Sequence, residues 1–119
     1  MTLDGDNEIA RHALPGGRTL VWRDEGSPWE NFLHIYLFAA DGALADALEA
    51  GAAWTTNVLA LQKERQDMFD FTFFANDKTY RLTVGQKPKL RMPFVSLPRG
   101  FRYKSQLTRH LLSVSVLED

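Results

Sequence analysis

A chain of 119 residues with 45% hydrophobic and 24% charged side chains has room for one hydrophobic core rather than two, and its composition lies outside the range of chains that stay disordered. The net charge of −1 conceals a division: residues 1–77 hold thirteen of the fifteen acids and five of the fourteen bases, and no acid lies among the bases from Lys78 to Arg109. Cysteine is absent, which excludes disulfides, thiolate metal sites and thiol nucleophiles.

The opening residues, Met1 to Glu8, are acidic and lack the basic start and apolar stretch of a secretory signal, so the chain is expected to stay in the cytoplasm of the cell that makes it. Residues 1–10 read as a candidate flexible arm of a single domain spanning 1–119. After the turn formers Pro15-Gly16-Gly17, residues Arg18 to Arg23 alternate as a strand. Asn31 to Phe38 puts Leu33, Ile35 and Leu37 on one face and Phe32, His34, Tyr36 and Phe38 on the other, the pattern of a central strand. The apolar run Phe32 to Ala40 is about half the length a membrane-spanning helix needs.

Asp41 is placed to cap a short helix over Ala43 to Gly51, in which Leu44 and Leu48 share a face. Trp54 to Leu61 favours a strand, although Leu59 to Arg65 also suits a helix. Met68 to Phe74 and Thr79 to Val84 alternate on either side of Ala75-Asn76-Asp77-Lys78 and predict a β-hairpin, with Phe69, Phe71 and Phe73 pointing inward. Pro88, Pro93 and Pro98 make the next stretch extended and unsuited to a central strand, so it is expected along a sheet edge. In a final strand, Leu112, Val114 and Val116 alternate with Ser113 and Ser115. The pattern predicts a mainly β chain: a single-domain β-sandwich or small barrel with one short helical insertion. Trp22, Phe71, Phe73, Tyr80, Leu82, Phe101, Leu112 and Val114 are its expected core.

No catalytic centre is legible. His12, His34 and His110 are too far apart for a local metal motif, and no metal or cofactor is expected. His34 reads either as a ligand or base in an aromatic pocket or as a hydrogen-bonded core histidine among Phe32, Tyr36 and Phe38. The carboxylate pairs Asp67/Asp70 and Asp41/Asp46 read as turn, cap and solvent-face residues. Ser27, Ser96 and Ser105 lack the sharp glycine-flanked turn that exposes a nucleophilic serine. Gly16-Gly17 precedes a strand, so it offers no helix N-terminus to a phosphate. The richest stretch is basic and aromatic: Lys87, Lys89, Arg91, Arg99, Arg102 and Lys104, with Phe101 and Tyr103 between the last cations. Cations alternating with aromatics suit a groove for single-stranded nucleic acid or another polyanion. They equally suit an edge turn whose aromatics enter the core, or a subunit interface opposite the acidic upstream surface.

Phe73-Phe74-Ala75-Asn76-Asp77-Lys78, then Leu97-Pro98-Arg99-Gly100-Phe101, then the alternating Leu112 to Leu117, preceded by Val21-Trp22-Arg23, resemble a β-rich module of tailed-bacteriophage structural proteins. In that module a strand ending in Tyr-Ala-Asp-Gly precedes a Leu-Pro-x-Gly-Phe turn. Here Phe74 replaces the tyrosine, Asn76-Asp77 replaces Asp-Gly, and the region from 39 to 66 is longer. The resemblance implies a non-enzymatic virion component of the tail, baseplate or connector, a homo-oligomer that packs on copies of itself and on other virion proteins. It implies no cofactor and no membrane. Nucleic acid is an unlikely partner on this reading, and polyanion binding through residues 87–104 is the alternative.

Overall fold

A computed structural model of the chain describes residues 7–26, 31–51, 57–74, 78–90, 97–104 and 109–117; for 87–90 and 109 it describes the backbone alone. In chain order the strands are β1 (Asn7–Ala13), β2 (Thr19–Asp24), β3 (Leu33–Phe38), β4 (Leu44–Ala50), β5 (Ala60–Glu64), β6 (Met68–Thr72), β7 (Thr79–Leu90), β8 (Phe101–Tyr103) and β9 (Arg109–Leu117). A short 3-10 turn over Pro15–Gly17 joins the first two. They form two antiparallel sheets, one ordered β1-β2-β3-β4-β8 and the other β5-β6-β7-β9. The fold is a β-sandwich without barrel closure.

Period-2 alternation decides what lies between the sheets. Leu20 and Trp22 of β2, Leu33, Ile35 and Leu37 of β3, and Leu48 and Ala50 of β4 meet Phe69, Phe71, Tyr80, Leu82, Val84, Leu112 and Val114 of the other sheet in one core. All eight side chains expected in the core belong to it. Trp22 and Phe71 stand at its centre with ring centroids 5.2 Å apart, and Phe71 packs edge-on against Phe101 at 6.1 Å. Edge-to-face pairs of this kind add to the stabilisation from burial alone. β3 is the middle strand of its sheet, as its two apolar faces require: its outward Tyr36 forms a second, smaller cluster with Val21 and Ala47.

The expected helix over 43–51 is a strand. Leu44 and Leu48 are four residues apart, a spacing that fits either the 3.6 or the 2.0 period. The ladder with β3 shifts between Leu37, opposite Asp46, and Phe38, opposite Leu44, so Leu48 packs in the core while Leu44 packs on the outer cluster of Val21, Tyr36 and Ala47. What separates the two is Asp46, which a strand places beside Leu48 and a helix places elsewhere. β4 lies between β3 and β8, and the ladder bonds on both sides outweigh the helical propensity of its alanines and leucines. Asp41 does not cap a helix; its carboxylate accepts from the Ala43 N–H at 2.9 Å in the turn before β4.

Further along, Ala60 to Glu64 is a strand, not the helix that Leu59 to Arg65 also suited, while residues 52–56 lie outside the described residues. β7 carries the basic stretch past Pro88. Its register with β9 shifts between Val84, opposite Leu112, and Lys89, opposite His110, so Pro88 lies in a bulge where its missing donor costs no ladder bond. Pairing of β7 with β6 ends at Thr83, so beyond the bulge β7 pairs with β9 alone among the described residues. Pro93 and Arg91 lie outside the described residues. Residues 7–10 of the expected arm pair with β2 as part of β1.

Candidate functional site

The titratable groups concentrate on the outer face of the five-stranded sheet. Successive register pairs line up Glu8 of β1, Arg23 of β2, His34 of β3, Glu49 of β4 and Arg102 of β8 in one row across the sheet. Unlike charges opposite each other in such a row are the stabilising cross-strand arrangement. Arg102 uses the row fully: one guanidinium nitrogen donates to Glu49, the other to the Gly51 carbonyl at 3.1 Å, and the group lies over the Phe32 ring at 5.6 Å.

His34 lies at the middle of this face and is buried. Its Nε2 is 2.9 Å from a Glu25 carboxylate oxygen, and its Nδ1 is 3.1 Å from Lys104 Nζ. Lys104 also donates to the Tyr36 hydroxyl at 3.0 Å and sits over the Tyr36 ring, which stacks on the imidazole. An ammonium has only donors, so Nδ1 must accept and the ring proton belongs on Nε2, where it donates to Glu25. Both ring nitrogens are committed. The arrangement matches the hydrogen-bonded histidine reading, with Tyr36 as the stacked aromatic; Phe32 instead lies under Arg102.

Of the acids expected on a turn, cap or solvent face, Asp46 differs, whereas Asp70 lies on the outer face of β6, alternating with the core residues Phe69 and Phe71. Asp46 points into the sandwich and is 1% exposed. One oxygen accepts from the Leu111 and Leu112 N–H groups at 2.9 and 3.0 Å; the other accepts from the Ala47 N–H at 2.9 Å and lies 3.1 Å from His110 Nδ1. Tyr103 covers this pair, stacking on His110 at 3.5 Å and donating its hydroxyl to the Leu112 carbonyl. Asp70 is held by Arg81, directly opposite on β7, through two bonds of 2.8 and 3.1 Å. The hydrogen bond from Arg81 keeps the Asp70 carboxyl below its usual pKa.

His12 lies between the sheets at their other side. It packs on Phe69 at 4.6 Å and beside Trp22, and burial lowers its pKa against the weaker opposing pull of Glu64. An open cleft of about 560 Å³ runs past His12, Leu14, Glu64, Arg65 and Phe69. His12 Nε2 and Trp22 Nε1 are buried without a hydrogen-bond partner among the described residues.

Of the six cations singled out in the sequence, the structure describes three side chains. Arg99 is exposed in the turn before β8, Arg102 is bound to Glu49, and Lys104 belongs to the His34 cluster. Lys87, Lys89 and Arg91 have no described side chains. Glu49–Arg102 and Asp70–Arg81 each join an acid of the acidic half to a base of the basic half. Among the described residues no group of three or more His, Asp or Glu side chains is arranged to hold a metal ion. Comparison with protein-family models, with curated proteins and with solved structures finds no match to this chain.

Proposed function

We propose that this chain is a non-enzymatic structural subunit that works by protein–protein assembly, as a tail, baseplate or connector component of a tailed bacteriophage. The observation that carries the reading is that the scattered residues of the resemblance meet in one packed unit. The Phe101 N–H donates to the Pro98 carbonyl at 3.0 Å, closing the Leu-Pro-x-Gly-Phe turn. Gly100 has φ of +93°, and a Cβ there would stand 2.6 Å from the Phe74 ring. Phe74 in turn packs edge-on against Phe101 at 5.7 Å, and Phe101 reaches Trp22 through Phe71. A glycine is required at Gly100 both for the backbone angle and for the approach of the ring.

The polar face supports assembly rather than catalysis. His34 has both nitrogens committed and is buried by its own neighbours, so it presents no free base to a substrate. Arg99, exposed in the turn before β8, is the described cation of the basic stretch 87–104 that is left to meet an acidic surface of another subunit. Density-gradient purification of particles carrying a tagged copy, followed by immuno-electron microscopy, tests the proposal. Tag on the tail or baseplate supports it, and absence from intact particles overturns it. Salt-sensitive binding of single-stranded nucleic acid by the purified chain would favour the polyanion alternative instead.

A further inference from the structure

Among the described residues the two sheets have four edges, and three of them are protected against pairing with another chain. β1 carries a bulge at Ile9 and the charges of Glu8 and Arg11; β5 carries a bulge at Gln62 and the charges of Lys63 and Glu64; β8 is three residues long. Bulges, charges and shortness are the usual devices that keep an edge from templating a new strand. β9 has none of them from Leu111 to Leu117, a stretch of leucine, serine and valine without charge, proline or an inserted residue.

The backbone of β9 shows which groups are open. The Leu112 N–H goes to Asp46 and its carbonyl accepts from Tyr103, both on the other sheet, so Leu112 turns its backbone groups away from β7. In a regular strand the N–H and C=O of one residue point to one side and alternate along the chain. The Val84 N–H donates to the Asp67 carbonyl on the β6 side, so Val84, Leu82 and Tyr80 turn their backbone groups toward β6. Their register partners Leu112, Val114 and Val116 form non-hydrogen-bonded pairs with β7, and among the described residues no backbone bond is made to the outward groups of Val114 and Val116. Ser113, Ser115 and Leu117 bond instead to Thr83, Arg81 and Thr79 of β7. On the core side of this edge Val116 is 38% exposed, one of the few large apolar side chains left open among the described residues.

We infer that the β9 edge is the contact between two copies of this chain, pairing antiparallel about a twofold axis at Ser115. In that register Val114 of one copy lies opposite Val116 of the other, and each such pair exchanges two backbone hydrogen bonds. The register uses the open groups of Val114 and Val116 and leaves Leu112 with Asp46 and Tyr103. Ser115 meets Ser115 on the outer face in a non-hydrogen-bonded pair, and each Val116 gains Val114 as its cross-strand neighbour. A second copy is the fitting occupant because a neutral alternating strand reads alike in both directions. In that register Glu118 and Asp119, which follow the stretch in sequence, come opposite Leu112 and Leu111 of the other copy, two to three residues from its Arg109, whereas parallel order sets like charges side by side. The two four-stranded sheets become one of eight strands, an isologous contact.

The inference rests on the assembly reading and names one of its contacts. The test is sedimentation velocity of the full chain against Val116→Pro and Val116→Lys. Proline at an outward-facing position removes a donor that β7 does not use, so the β7 ladder persists; lysine sets like charges across the edge without altering the backbone. The parent is expected to sediment as a dimer, both variants as folded monomers, and a mixed-label NOE experiment on the parent should show a Ser115 Hα contact between copies. Amide exchange at Val114 and Val116 should be slow in the parent and fast in Val116→Lys. An oligomer that survives both variants with fast exchange at Val114 overturns the edge pairing. A parent that stays monomeric at millimolar concentration also overturns it, and leaves the assembly reading to its own test of particle incorporation.

Discussion

Replacing Asp46 by alanine tests how the two sheets are joined at the start of β9. The carboxylate is fully buried and receives the Leu111 and Leu112 N–H groups, the Ala47 N–H and the His110 ring. Alanine leaves at least the two β9 donors without their acceptor, each buried donor costing about 1–3 kcal/mol. The expected loss is about 2–6 kcal/mol, a large share of the roughly 5–15 kcal/mol that holds a domain together. A melting midpoint lower by roughly 10–20 °C should follow for a domain of this size. Asp46→Asn keeps one acceptor oxygen but turns an amide NH₂ toward the other donors, so it should fall between parent and alanine. Urea unfolding followed by tryptophan fluorescence measures both, and amide exchange should show Leu111 and Leu112 opening first. An alanine variant that unfolds at the parent's urea midpoint would refute the reasoning and return Asp46 to a solvent-face role.

Phe73→Ala removes a buried ring beside Phe74 and should cost about 3–5 kcal/mol in urea unfolding; an unchanged midpoint would mean the strand phase is wrong. Gly100→Ala forces a side chain into a left-handed conformation and against Phe74, so its melting temperature should drop, and adding Phe74→Leu should recover the steric part but not the backbone part. His12 is held below its ordinary pKa by burial, so the unfolded chain binds its proton more tightly. Its contribution is complete above about pH 6.5 and is lost as pH falls toward the folded-state value; His12→Phe should flatten the fall in melting temperature below about pH 6.5. Arg99→Glu leaves the Glu49–Arg102 contact in place and should impair particle incorporation without lowering the melting temperature.

Much of the sandwich was legible in the sequence because alternation is a local property. Phe69, Phe71 and Phe73 against Asp70 and Thr72, or Leu33, Ile35 and Leu37 against His34 and Tyr36, define strand phase without reference to any partner, and the core follows from the phase. The Leu97 to Phe101 turn was likewise visible, since proline and glycine act on their own backbone. Asp46 was not. Its neighbours fit two periods, and which one holds depends on β3 and β8 lying on either side of β4, a relation between segments up to about fifty residues apart in sequence. The same holds for the cluster of Glu25, His34, Tyr36 and Lys104 and for the open edge of β9. Residue types can announce a cation, an imidazole or a neutral strand, but a hydrogen bond between residues 34 and 104, or a backbone group left unpaired, exists only once the sheets have assembled and set the register.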